Sequence, residues 1–478
     1  MKKAFAIALV LVVTGFASFA QNAEDALRYS TFYSGNTARS AGLSGAMGAL
    51  GGDQGSFLVN PAGLGVFRKS ELSFTPYLKY ITSESNVDGQ NGYKDFAYGM
   101  GVKQAGYVAV IPTYNETGLI SVNLNFSYNH QNSFKKYSGI RIFDASSSLL
   151  DEFTADANNG DWFYTGNELA FATDLIYDLD GTYYSDLTGS SYGQDIRRTI
   201  QQKGTIGEYQ AGIAANFNNN LFIGLNMGIN ALRYSSSLSH TEFDIPEGVD
   251  YLNSFDYSQV LKTTGIGFTA RAGIIYTPFT WLRLGIAAHT PSFYSLEDYY
   301  EASINAYLTM EDPVKPDEAN NSGRFDYTLV SPPKVVFSGA LVFGKHALVS
   351  VDYDITDYSV MRLRSDMYDF VDENDDIQSI YAVTHNIKAG AEFRFGMMSY
   401  RAGIAYYQSP YEINEVNASA DRMALSGGIG INNGDYFVDI SYVNANTVSR
   451  YILYQQPQSS ALMEDIDHQF LFTLGYRF

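Results

Sequence analysis

From Glu71 to the end of the chain, apolar and polar residues alternate in long runs. Ile120, Val122, Leu124, Phe126 and Tyr128 share one face, and Ser121, Asn123, Asn125, Ser127 and Asn129 share the other. Ala347, Val349, Val351, Tyr353 and Ile355 alternate with Leu348, Ser350, Asp352 and Asp354, and Phe470, Phe472, Leu474, Tyr476 and Phe478 repeat the pattern at the C-terminus. A period of two puts successive side chains on opposite faces of a strand. Strands of soluble sheets usually run about five or six residues. Many of these runs reach the roughly ten that a tilted strand needs to cross a bilayer.

The breaks between runs alternate as well. Short turns fall at 114–117, 218–220, 277–280, 344–345, 396–398 and 432–434, and longer segments at 83–96, 135–203, 238–261, 290–325, 363–382, 409–420 and 450–466. The pattern predicts fourteen strands, at 71–83, 97–111, 118–134, 204–217, 221–237, 262–276, 281–290, 326–343, 346–362, 383–395, 399–408, 421–431, 435–449 and 467–478. An even number of antiparallel strands, with short turns at one end and long loops at the other, describes a bacterial outer-membrane barrel. Closure removes strand edges and pairs every backbone group within lipid. The expected fold class is all-β, a single antiparallel transmembrane β-barrel.

Composition sharpens this reading. The chain has 38 Tyr and 31 Phe against 11 Met, and tyrosine suits the boundary between lipid and water. Met1-Lys2-Lys3, an apolar run from Ala4 to Val13 and the small-x-small step Ser18-Phe19-Ala20 read as a signal peptide cleaved after Ala20, leaving Gln21 as the mature start. No later segment offers the apolar length of a transmembrane helix. With no cysteine, disulfides and thiolate metal sites are excluded. A net charge of −20 argues against nucleic acid as a partner.

Residues 37–64 break the pattern. The stretch is rich in glycine and alanine, shows no alternation and has no long apolar face. Glycine lets backbone approach backbone closely, and Asn60-Pro61 marks a turn. Alone, the stretch reads equally well as a linker; ahead of a barrel, it reads as a plug.

Asn60-Pro61-Ala62-Gly63-Leu64 also resembles the signature that closes the N-terminal hatch of the FadL/TodX family of outer-membrane transporters for hydrophobic compounds, and Ala38-Arg39-Ser40-Ala41-Gly42 and Asp53 are similar to residues upstream of it. Pro332-Pro333-Lys334, Phe343-Gly344-Lys345, Asp352-Tyr353 and Asp357-Tyr358-Ser359 resemble the family's late hairpin, and Arg401-Ala402-Gly403-Ile404-Ala405-Tyr406 the strand after it. The terminal Phe478 resembles the signal read by the barrel-insertion machinery. The resemblance implies a signal peptide at 1–20, a hatch over 21–70 and a barrel over 71–478. It also implies a gate at Asp53 and Asn60 to Leu64, and a lateral gap in the wall at a kinked strand. The third strand has no interior glycine for such a kink; Gly99, Gly101 and Gly106 fall in the second.

The segment 135–203 is far longer than a connection needs. Thr165 and Glu168 read as a capping box ahead of Leu169, Ala172, Ile176 and Leu179 on one helical face, and Ser148 reads as the cap of a helix bearing Leu149, Leu150 and Phe153. These faces either pack on each other or form a greasy groove for a ligand, and the resemblance favours the groove. Inward positions carry Arg271, Arg283, Lys388, Glu392, Arg394, Arg401, Asp439 and Arg477. They read as paired charges that hold the plug, or as a seat for a ligand's carboxylate.

No enzyme motif or cofactor site emerges. There is no G-x-S-x-G elbow and no H-E-x-x-H among the scattered histidines. His289 reads as a lumen-facing strand residue. Asp372 to Asp376 begins like a calcium loop, but Ile377 stands where its glycine belongs. The expectation is a monomeric, non-enzymatic outer-membrane channel, without metal or cofactor, for passive uptake of hydrophobic small molecules such as long-chain fatty acids or aromatic hydrocarbons. Its partners are that ligand, outer-membrane lipid and, through Phe478, the assembly machinery. A shuttle or structural barrel of a secretion system, a haem-uptake receptor and a lipid-modifying enzyme are the alternatives.

Overall fold

A computed structural model describes residues 23–87, 90, 92–187, 191–246, 252–308, 316–455 and 459–478, so the expected signal peptide and its cleavage site lie outside the described residues. Fourteen antiparallel strands close into a barrel. They are β1 (Glu71–Asn86), β2 (Tyr93–Pro112), β3 (Leu119–Ser133), β4 (Asp195–Phe217), β5 (Leu221–Phe243), β6 (Leu252–Phe279), β7 (Leu282–His289), β8 (Lys334–Phe343), β9 (Ala347–Asp357), β10 (Val383–Phe395), β11 (Met398–Tyr407), β12 (Arg422–Asn432), β13 (Tyr436–Tyr454) and β14 (Ser459–Arg477). β1 closes the seam, pairing β2 from Glu71 opposite Val108 and β14 from Glu71 opposite Arg477. The Phe478 N–H donates to the Ser70 carbonyl at 3.0 Å. Short turns and both chain ends of the barrel share one end, and long connections share the other.

The wall is inverted relative to a soluble protein. On β5, Leu225 and Met227 are 55% and 61% exposed, while Asn226 and Asn230 on the inner face are 2% and 1% exposed. An outward apolar belt of this extent suits lipid rather than water. Aromatic rings mark its short-turn rim, where Phe279 stacks on Trp281 at 5.4 Å and Phe478 on Tyr476 at 5.6 Å.

The structure corrects three sequence expectations. The single strand expected at 326–343 is two elements, because Ser331-Pro332-Pro333 supplies only one backbone N–H and interrupts the ladder. Pro316–Val330 instead pairs with Phe293–Leu308 in an outer hairpin beyond the wall, itself docked on the upper part of β6. The connections are also shorter than expected, because β4, β5 and β6 extend well past the bilayer. Finally, the helix α4 (Asn167–Ala172) starts from Gly166 without a side-chain cap, so the Thr165 capping box does not form. The helix α3 (Leu149–Asn159) does carry the full Ser148–Asp151 capping box.

Inside the wall, α1 (Ala23–Ser30) packs in the long-loop half, with Tyr29 donating to Thr263 Oγ1 at 2.8 Å. The chain then descends into α2 (Ala38–Gly42) and two 3-10 turns, Gln54–Leu58 and Pro61–Val66, which fill the short-turn half.

Candidate functional site

Asn60 is the N-cap of the second 3-10 turn, and Pro61 takes the first helical position, where its missing N–H costs nothing. Asn60 Oδ1 accepts the Ala62 N–H at 3.0 Å. Its amide donates to the Gly48 carbonyl at 2.7 Å and the wall carbonyl of Ile274 at 3.2 Å. The segment lies directly on wall backbone. A Cβ on Gly273 would overlap Asn60 Oδ1, one on Gly224 would overlap the Pro61 carbonyl, and one on Gly285 would stand 2.6 Å from Gly48 O. Gly63 backs onto Gly51 inside the plug, with its carbonyl accepting the Gly52 N–H at 3.1 Å. Leu64 is buried with Phe57, Phe67 and Val108. Asp53 is an internal staple that accepts from Gly55 N at 2.8 Å and Thr37 Oγ1 at 2.7 Å.

Wall side chains grip the plug by its backbone. Asp352 accepts the N–H groups of Met47 and Gly48, at 2.9 Å and 3.0 Å. Asn123 donates to Leu64 O at 2.8 Å, His289 to Val59 O at 2.9 Å and Arg283 to Leu50 O at 2.6 Å. Glu392 gathers Arg39 of the plug at 2.9 Å, Arg394 at 2.7 Å and Arg401 at 2.7 Å, and Arg401 also reaches Asp439. Burial opposes the Arg39 charge, but Glu392 and Asp53 outweigh it and hold its pKa above the ordinary arginine value. Arg271 pairs with Glu208 at 2.8 Å, Lys388 with Asp354 at 2.8 Å and Arg477 with Glu71 at 2.8 Å. The inward charges singled out from sequence are therefore engaged in pairing or in holding the plug.

The long-loop end is covered. Leu149, Leu150, Phe153, Leu169 and Ile176 are buried in one cluster with Ile140, Ile196, Phe255, Ile304 and Met463 of the strand extensions. Ala172, the last residue of α4, and Leu179, beyond it, are exposed. Ala170 and Leu175 take the buried places. One buried carboxylate, Glu242, latches this lid. It accepts from Leu149 N at 2.8 Å, Ser148 Oγ at 2.8 Å, Gln194 Nε2 at 2.9 Å and His240 Nε2 at 2.9 Å. A carboxylate at a helix N-terminus satisfies the orphan donors there.

Between lid and plug, the wall has a gap. The β2–β3 ladder stops at Gln104 opposite Asn129, so among the described residues β2 from Tyr93 to Val102 pairs with β1 alone. Above that point the chain of β3 bulges at His130 to Asn132, and its continuation, Lys136–Ile142, tucks onto the lumen face of β1. There Ser83 and Ser138 hydroxyls meet at 3.1 Å and Ser85 Oγ donates to Gly139 O at 2.6 Å. Gly99 and Gly101, on the lumen side of β2, leave the room. Beside the root of the gap is a cavity of about 290 Å³ lined by Tyr33, Tyr77, Lys79, Lys103, His130, Arg422 and Asp467 among others. Lys79 and Arg422 both reach Asp467, at 3.2 Å and 3.3 Å. Lys103 makes no ion pair among the described residues and faces the Tyr77 ring at 5.8 Å. Lys103, Glu242 and the three wall glycines escaped sequence reasoning, although each falls on an inward position of its strand; Asp352 was marked as a polar-face residue but not as the anchor of Met47 and Gly48.

No protein-family model and no curated protein matches the sequence. Solved structures do match the fold. A Pseudomonas aeruginosa FadL homologue aligns with a TM-score of 0.54 at 16% identity, over 94% of this chain and 100% of its own. The P. putida toluene transporter TodX aligns with a TM-score of 0.54 at 11% identity, over 94% of this chain and 99% of its own. The fold is thus of the FadL/TodX type.

Proposed function

We propose that this protein stands in the outer membrane of a Gram-negative bacterium with its short turns in the periplasm, and passes hydrophobic small molecules inward without catalysing a reaction. The observation that carries this reading is the unpaired β2 edge above a plugged floor. Backbone groups left unpaired against lipid are costly, so the edge makes sense as the rim of an opening that solvent and ligand reach. The faces of Leu149, Phe153, Leu169 and Ile176 pack on the strand extensions, so capture there requires the lid to part; a molecule so captured would move to the cavity by Lys103 and leave through the gap while the plug stays seated. The likeness to a toluene transporter supports a hydrophobic cargo. The unpaired Lys103 beside Arg422 suits an amphiphile whose carboxylate would sit there, which favours long-chain fatty acids over aromatic hydrocarbons. Phe478, exposed on the short-turn rim, supports reading it as the signal for barrel insertion, and closure of the sheet by the strands of one chain supports a monomer.

The test is uptake of labelled hexadecanoate and of toluene by cells lacking their own transporter. The protein should restore uptake of the acid, and Lys103→Ala should lower it without changing toluene movement. Normal surface levels with no uptake of either compound would overturn the reading.

A further inference from the structure

The strand Pro316–Val330 of the outer hairpin pairs along its length with Phe293–Leu308 on one side. On the other side, among the described residues, only Thr328, Leu329 and Val330 are paired, with the short strand Arg362–Arg364. The chain then turns away at Ser365, whose Oγ donates to the Asp326 carbonyl at 2.9 Å. That bond shows which side the Asp326 backbone groups face. Antiparallel alternation puts those of Asn320, Ser322 and Arg324 on the same side, and none has a backbone partner there among the described residues.

Such an edge is usually blunted by charge, proline or a bulge. Here Arg324 is turned across the sheet to Glu297 at 3.1 Å. The inner face is firmly backed, with Phe325 and Tyr327 packed on Phe370 at 5.9 Å and 6.2 Å. A groove of about 830 Å³ lies alongside, lined by Asp326, Thr328, Arg364, Met367, Tyr368 and Asp369 among others. Arg362 and Arg364 stand at its root, where the chain turns away, and its far bank presents Asp366 and Asp369; the segment behind them adds Asp372, Glu373, Asp375 and Asp376, with no lysine or arginine from 366 to 376.

We infer that this edge, at the cell exterior, binds an extended, cationic segment of a partner polypeptide by strand addition, in the place where Arg362–Arg364 would continue if the chain did not turn away. Main-chain pairing supplies affinity in such binding and the flanking side chains supply selectivity. The acidic bank sets the preference for a basic strand. A second copy of this chain would bring the same acidic bank into contact with itself. The edge is separate from the cavity and the gap, although the inner face of its hairpin backs the lid through Ile304 and Ala319.

The test uses the full-length protein in lipid nanodiscs and a synthetic peptide of alternating lysine, threonine and valine. Hydrogen exchange should slow at 320–326 when the peptide is added. Ser322→Pro removes an outward-facing donor that an edge strand can lose without unfolding, and should weaken binding about tenfold while leaving hexadecanoate uptake unchanged. Asn substitutions at Asp366, Asp369 and Asp372 together should weaken binding and flatten its salt dependence. Exchange at 320–326 unaffected by the peptide would overturn the inference. So would equal binding of an aspartate-containing analogue, or an edge already protected in a nanodisc holding two copies of the chain.

Discussion

Asn60 holds the plug more firmly than the proline beside it. Pro61 restricts the start of one turn, so Pro61→Gly frees the unfolded segment by about 0.4–1 kcal/mol. Asn60→Ala removes a cap contributing about 1 kcal/mol and orphans the carbonyl of Gly48, which costs about 1–3 kcal/mol when buried. Asn60→Ala should therefore loosen the plug more than Pro61→Gly, read as ion leak in planar bilayers, with the folded barrel still resisting denaturation in detergent. Gly273→Val tests the same contact from the wall and should also leak, because its side chain would occupy the site of the Asn60 amide. The sequence marked Asn60 and Pro61 clearly, since a turn motif is local. It gave no hint that Gly224, Gly273 and Gly285 form the surface beneath them, because they come from three strands and meet only when the barrel closes.

The lid helices show the same division at the scale of elements. Ser148 and Asp151 are three residues apart and cap α3 as a short-range pattern should. Thr165 fails as a cap because Gly166 takes that position and the Thr165 carbonyl accepts from Tyr257 at 2.8 Å. The wall gap was less legible still, since its cause is a displacement of the chain after β3 onto the lumen face of β1, where the glycines of β2 leave room. The lid should respond to pH. Burial, together with Glu152 and Asp161, raises Asp156 on α3 to about 6, and burial also raises Asp151 and Glu152. A carboxyl with a raised pKa binds its proton more tightly when the lid is closed than when it is open. Closure is thus favoured as pH falls through about 6 and weakened as pH rises through it. Exchange at α3 amides, corrected for intrinsic rate, should be slower at about pH 5 than at about pH 7.5, and Asp156→Asn should shrink the difference. Replacing Leu169 and Ile176 together with Asp buries two charges in the lid cluster; it should release the lid and weaken ligand capture while the barrel stays folded.

For the whole molecule, strand number, turn polarity and the plug at its head were legible because period-two alternation is written into every strand. The outer hairpin was not, since 290–325, which supplies most of it, read as a loop, and Pro332-Pro333 sits inside 326–343, which read as one strand. Orientation follows from the turns: a tag at Gly160 or Asp375 should be labelled on intact cells and a tag at Asn219 should not. The central claim is that the plugged barrel passes hydrophobic molecules but not ions. It is tested most directly in proteoliposomes by following hexadecanoate uptake and ion leak together, for the intact protein and for a form lacking residues 23–65. The account predicts uptake with negligible leak for the intact protein, and a large leak once the plug is gone. A large leak from the intact protein, or no uptake by it, would contradict the account.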